Sequence, residues 1–245
     1  MVIVAAALSV SFVAAACSSA QYTYVRDSST RSAFRIPTGW TTYDEATVLG
    51  ELSGQPQGDQ PDPIQWLVGV DADPSASVSH VLNSSDLATD YPQGIVVVQD
   101  LSFVERDNVS LNYLRNFLFP IDQLIQNESN AVVVSYNDEI NQGGMRGVQM
   151  VVSFRESSLA QARQEAAAAA GQSSASSDPD TLQRALLGGT GTGVLSPDFV
   201  EIDQKALVDD SSHKLYLVIM MCSSACYERN RDQIQATVDS WTVSE

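Results

Sequence analysis

Cys222 and Cys226 lie four residues apart in MCSSACYE, just behind the apolar run LYLVIMM, and by type and spacing they are the residues here best suited to chemistry. Such a pair can ligate a metal, cycle between dithiol and disulfide, or form a structural bridge. A zinc site needs four ligands, and the remaining candidates are Cys17 and two isolated imidazoles, His80 and His213, with no second cysteine pair. A thioredoxin-like centre has two residues between its cysteines, whereas Ser223, Ser224 and Ala225 intervene here. The compartment then decides between a bridge and free thiols.

The chain begins MVIVAAALSVSFVAAAC, an uncharged and mostly apolar run that closes on Ala14, Ala15, Ala16 and Cys17. It is shorter than the roughly 20 apolar residues of a membrane span and has the length of a signal-peptide core. The stretch resembles a bacterial lipoprotein leader. That resemblance implies cleavage before Cys17 and lipidation of Cys17 by diacylglycerol. On this reading 1–16 is a signal peptide, and 17–32 is a serine-rich tether reaching at most about 50 Å from the bilayer. Ala-Ala-Ala also satisfies an ordinary secretory cleavage site, which would release a soluble protein with Cys17 near its terminus. Both routes export the chain. Outside the cytoplasm disulfides persist, so Cys222–Cys226 reads as a structural bridge contributing about 2 kcal/mol and fixing a strand-to-helix turn.

Composition describes an acidic globular domain. Hydrophobic residues make up 44% of the chain, and 30 acidic residues against 13 basic ones give a formal charge of -17. Nucleic acid and anionic lipid surfaces are poor partners, because both would be repelled, and no nucleic-acid partner is expected.

The elements that position the cysteines are mostly strands. Phe34, Ile36 and, after Pro37-Thr38-Gly39, Trp40 and Tyr43 predict a short hairpin. Further strands are expected at 64–70, 95–101, 131–140, 145–154, 199–208 and 215–221, with a hairpin turn at Asn141-Gln142-Gly143-Gly144. Leu111, Leu114 and Leu118 have helical spacing up to the break at Pro120, after which Ile121, Leu124 and Ile125 resume it. A closing helix over about 225–239 places Tyr227, Ile234, Val238 and Trp241 on one face, with Ser224 as N-cap and Glu228 in the first turn. Hairpins instead of alternating strands and helices indicate α+β.

Residues 33–245 then form a single domain interrupted at 157–195 by an insertion holding an alanine-rich segment and the cluster Gly188, Gly189, Gly191 and Gly193. The glycines lack the following Lys-Ser or Lys-Thr of a phosphate loop and read as a surface loop. No Gly-x-Ser-x-Gly elbow or His-Glu-x-x-His occurs, and neither histidine has an obvious triad partner in the sequence. Asp71-Ala-Asp73, Asp178-Pro-Asp180 and Asp209-Asp210 lack calcium-loop spacing and read as turns facing water. Trp40, Trp66 and Trp241 adjoin apolar positions and are core candidates. No catalytic, metal or cofactor residue is assigned.

The segments AFRIPTGWTTYD and RDQIQATVDSWTV carry a resemblance to the PsbP-like fold, through Phe34, Pro37 and Trp40 at the start and Ser240, Trp241 and Val243 at the end. The resemblance implies an α/β/α sandwich around a mostly antiparallel sheet, covering about 33–156 and 198–243. It extends to LpqN-type lipoproteins of actinobacterial envelopes and implies a non-enzymatic accessory role. The expectation is a lipid-anchored, extracytoplasmic binding or adaptor module that recruits an envelope protein partner. The alternative is a carrier or sensor of a small apolar envelope ligand with 157–195 as its lid. An exposed apolar patch or sheet edge favours the first and a concave apolar pocket the second.

Overall fold

The structure, a computed structural model, describes residues 21–52, 64–82, 87–126, 131–158 and 199–244. Cys17, the leader and nearly all of the 157–195 insertion lie outside the described residues. In chain order the elements are β1 (Tyr22–Asp27), β2 (Ser32–Pro37), β3 (Thr41–Tyr43), α1 (Glu45–Leu52), β4 (Ile64–Asp71), α2 (Val78–Leu82), β5 (Gln93–Asp100) and α3 (Phe103–Asn108). They continue with α4 (Leu111–Asn116), α5 (Ile121–Gln126), β6 (Ala131–Gln142), β7 (Met145–Arg155), β8 (Phe199–Val208), β9 (Lys214–Ser223), α6 (Ser224–Asp239) and β10 (Thr242–Val243).

The continuous apolar runs of β5 and β9 arise because both faces of these strands are covered. They sit centrally in a seven-stranded sheet of order β3-β4-β5-β9-β8-β7-β6, in which every neighbouring pair is antiparallel. Ile95, Val97, Leu215, Leu217 and Ile219 point to one core, which α1, α2, α4 and α5 help to cover. Val96, Val98, Tyr216, Val218 and Met220 point to a second core under α6 and the small sheet β1-β2-β10. The fold is therefore α+β, with a mostly antiparallel sheet between helical layers. The turn between β6 and β7 uses Gly143 and Gly144, both at positive φ, the conformation that glycine adopts without a Cβ clash. Among the described residues no helix is long and apolar enough to cross a membrane.

Three expectations are corrected. Residues 22–32 of the expected tether include β1, which pairs along its length with β2, so the folded domain starts at about Tyr22. The alternating Tyr22, Tyr24 and Arg26 of β1 bury little, which hid the strand among polar residues. Phe34 and Trp40 do not flank one hairpin: β2 pairs with β1 and β10, whereas β3 pairs with β4. The helix cap falls one residue earlier than expected, because Ser223 accepts the Cys226 N–H at 3.2 Å, and Glu228 then lies beyond the first turn.

Trp241 is almost completely buried beside Ile234 and Val238, as the helical spacing required. Trp40 and Trp66 pack at the border of the same core, and Phe34 meets the Trp66 ring at 5.8 Å. The Ser240 hydroxyl accepts the Arg35 N–H at 2.9 Å, tying the end of α6 to β2.

Candidate functional site

The β9–α6 corner joins Cys222 to Cys226 through a disulfide across a Cα separation of 5.9 Å, with both residues fully buried. No thiol faces solvent there, so the corner holds the α6 start against the sheet and offers no reactive group.

β8 presents Glu201, Asp203 and Lys205 toward α6, an ionisable row that the strand reading had not marked. Lys205 donates to Gln142 Oε1 at 2.8 Å, and Gln142 Nε2 in turn donates to the Trp241 carbonyl at 2.9 Å. Burial pushes the Lys205 ammonium down in pKa, partly opposed by Asp239, and pushes Glu201 up. Asp203 is fully buried and accepts the Tyr227 hydroxyl at 3.0 Å; burial raises its pKa to about 7, with Asp239 adding to the rise and Tyr227 opposing it. The same burial and the Asp203 carboxylate push the Tyr227 phenol up.

The sign of the linkage follows. An acid whose folded pKa lies above its ordinary 3.8 holds its proton more tightly when folded, so stability is lost as pH rises from about 4 through about 7. Asp203 accounts for up to about 4 kcal/mol of that loss. The Asp203→Asn variant, which cannot ionise, is expected to show a flatter unfolding free energy between about pH 4.5 and 8 in urea titrations. Glu201 titrates in both proteins and cancels in the comparison. Parallel pH profiles would contradict the assignment. The row thus concerns stability, since α6 covers it.

At the surface, α3 is built inside out. Ser102 and Glu105 form a capping box, with the Ser102 N–H donating to Glu105 Oε2 at 2.7 Å and the Glu105 N–H donating to Ser102 Oγ. Tyr113 donates its hydroxyl to Glu105 Oε1 at 3.1 Å, and Arg106 Nε donates to the Leu101 carbonyl at 2.8 Å. The Leu101 N–H reaches the His213 carbonyl at 2.7 Å, anchoring the helix start to the β8–β9 turn. Glu105 and Arg106 of α3 therefore fasten it to the domain. Its apolar residues face water: Phe103 is 77% and Val104 59% exposed, and no residue of the helix is buried. An amphipathic helix ordinarily does the reverse.

His80 and Asp71 meet although nothing in the sequence paired them, with Nδ1 and Oδ2 3.0 Å apart at the end of β4. Asp71 is buried and not a water-facing turn residue, because it accepts backbone N–H groups from Asp73 and Ser77 as well. Asp209 does serve its turn, accepting the His213 and Lys214 N–H groups. Asp178 and Asp180 lie outside the described residues. Among the described residues no group of three His, Cys, Asp or Glu side chains stands close enough to hold a metal ion.

These features define a layered α+β domain with a disulfide-fixed corner and one outward apolar helix. No family model matches the chain, and no curated protein matches its sequence. Among solved structures, cyanobacterial PsbP (CyanoP) of Synechocystis sp. PCC 6803 is similar at TM-score 0.41 and 11% identity, covering 94% of this chain and 96% of that one. The Ran-binding protein Mog1p of Saccharomyces cerevisiae is similar at TM-score 0.41 and 9% identity, over 91% of this chain and 95% of its own. LpqN of Mycobacterium tuberculosis, described as involved in cell envelope biogenesis, is similar at TM-score 0.41 and 10% identity, over 92% and 91%. At these TM-scores and identities the likeness assigns neither a family nor a function to this chain, and function rests on its own surface.

Proposed function

We propose that the chain is an exported, non-catalytic adaptor of the cell envelope, anchored through Cys17, that recruits a protein partner with the tip of α3. The observation that carries the reading is the outward pair Phe103 and Val104 on a helix that Glu105 and Arg106 tie to the domain. Two side chains make only a small patch, so they act as an anchor at the centre of a larger contact of roughly 800 Å² per partner. The buried disulfide and the leader both support an extracytoplasmic setting.

The alternative carrier reading needs an apolar cleft. The cleft at Asp71 and His80 has Ala88 and Tyr91 beside polar and charged side chains such as Asp73, Asp90 and Gln93, and the candidate lid lies outside the described residues. Gentle cross-linking of the full-length protein in its own envelope, followed by native mass spectrometry, tests the proposal. A stoichiometric protein partner and a diacylglyceryl mass on Cys17 are expected. Recovery of the chain alone, carrying an apolar small molecule, would overturn the adaptor reading.

A further inference from the structure

A cleft of about 340 Å³ opens where β4 ends, α2 begins and the chain turns into β5. Its wall includes Asp71, Asp73, His80, Asp90, Tyr91 and Gln93. The volume is at the small end for ligand sites, which limits any occupant to a few heavy groups.

Each wall residue has a defined hydrogen-bonding capacity. The Asp71 carboxylate already accepts three hydrogen bonds, from the Asp73 and Ser77 N–H groups and from His80 Nδ1. It is therefore spent on orientation. Because that carboxylate only accepts, Nδ1 carries a proton, which leaves Nε2 as the ring nitrogen able to accept from a ligand donor. Asp73 and Asp90 add carboxylates; that of Asp90 is 85% exposed, with the Arg229 guanidinium 3.7 Å away at the rim.

Gln93 supplies the opposite polarity. It sits directly across from Asp71 in the β4–β5 register and is only 2% exposed. Its Nε2 is buried with no hydrogen-bond partner among the described residues. An unpaired buried donor destabilises the fold, and a ligand acceptor in the cleft would recover that cost.

We propose that this cleft binds a small ligand bearing a primary ammonium next to a carbonyl, as in an amino-acid amide or the free N-terminus of a peptide. The ammonium donates to the Asp73 and Asp90 carboxylates and to His80 Nε2, while the neighbouring carbonyl accepts from Gln93 Nε2. An anion is disfavoured by these carboxylates and by a chain charge of -17. A simple cation lacks the acceptor that Gln93 requires. The ring of Tyr91, 43% exposed on the wall, adds a face suited to a cation.

The experiment is a titration of the full chain with glycinamide, followed by NMR at the His80 ring and the Gln93 side-chain amide. Saturable shifts at both are expected, weakening as salt rises. Asp73→Asn keeps an oxygen for the Ser75 N–H, which Asp73 Oδ1 accepts at 2.6 Å, but removes the charge, and is expected to weaken binding about threefold. N-acetylglycinamide, which has the carbonyls but no ammonium, is expected not to compete. Triglycinamide distinguishes the sources: tighter binding than glycinamide identifies a peptide end, and equal binding identifies a single-residue ligand. Equal binding of N-acetylglycinamide and glycinamide, or no saturable shift at His80 and Gln93, would overturn the proposal.

Discussion

Phe103→Asp is expected to reduce recovery of the envelope partner by about tenfold or more, while the circular dichroism and urea midpoint of the domain stay near the wild type. The size follows from placing a charge in the apolar pocket of a partner, where a desolvated carboxylate without a counter-ion is strongly unfavourable. The domain itself should not notice, because Phe103 is 77% exposed and buries almost nothing in the folded chain. Its helix is held by Ser102, Glu105 and Arg106, none of which the substitution removes. Val104→Asp should act in the same direction. Unchanged recovery in both variants would remove α3 from the interface.

Gly94→Ala is expected to lower stability strongly. Gly94 lies in β5 opposite Met220 of β9, where the two central strands of the large sheet pair. A Cβ added there would overlap the backbone carbonyl oxygen of Ile219 and come within 2.5 Å of the Met220 sulfur. The sulfur is the flexible end of a side chain and can yield. The carbonyl belongs to the sheet, so relief requires the strands to separate in the region where both cores meet. A loss of about 3 kcal/mol or more is expected, read as a lowered urea midpoint. A change under about 1 kcal/mol would mean that the strands are less tightly registered than the structure shows.

The central sheet was legible because burial on both faces leaves uninterrupted apolar runs, as in residues 95–98 and 215–221. The closing helix was legible for a related reason: Tyr227, Ile234, Val238 and Trp241 repeat on one face and all become buried. Periodicity failed where elements bury little. β1 offers only partly covered residues, and α1, α2 and α3 are short, so none produced a pattern over enough turns to stand out.

The sites were harder still to read. Nothing in FVERDN distinguishes an apolar pair that faces water from one that packs inward; the direction is set by Tyr113 and by the Leu101 carbonyl, which grip the polar side of the helix. A capping box was detectable at Ser102 and Glu105, and it would have located the helix without giving its facing. Asp71, His80 and Gln93 come from a strand end, a short helix and the neighbouring strand, and only the β4–β5 register brings them to one place. The Glu201, Asp203 and Lys205 alternation on β8 is visible as i, i+2 spacing, but only the packing of α6 over that face shows that the row is buried.

The central claim is that the tip of α3 is the docking surface, and the most direct measurement is site-specific photo-cross-linking in the native envelope. A photoreactive side chain is placed at position 103 and, as a control, at Glu228, which is exposed on α6 in the opposite layer. One discrete protein adduct from position 103 and none from position 228 is the predicted result. No protein adduct from position 103, or the same adducts from both positions, would contradict the account.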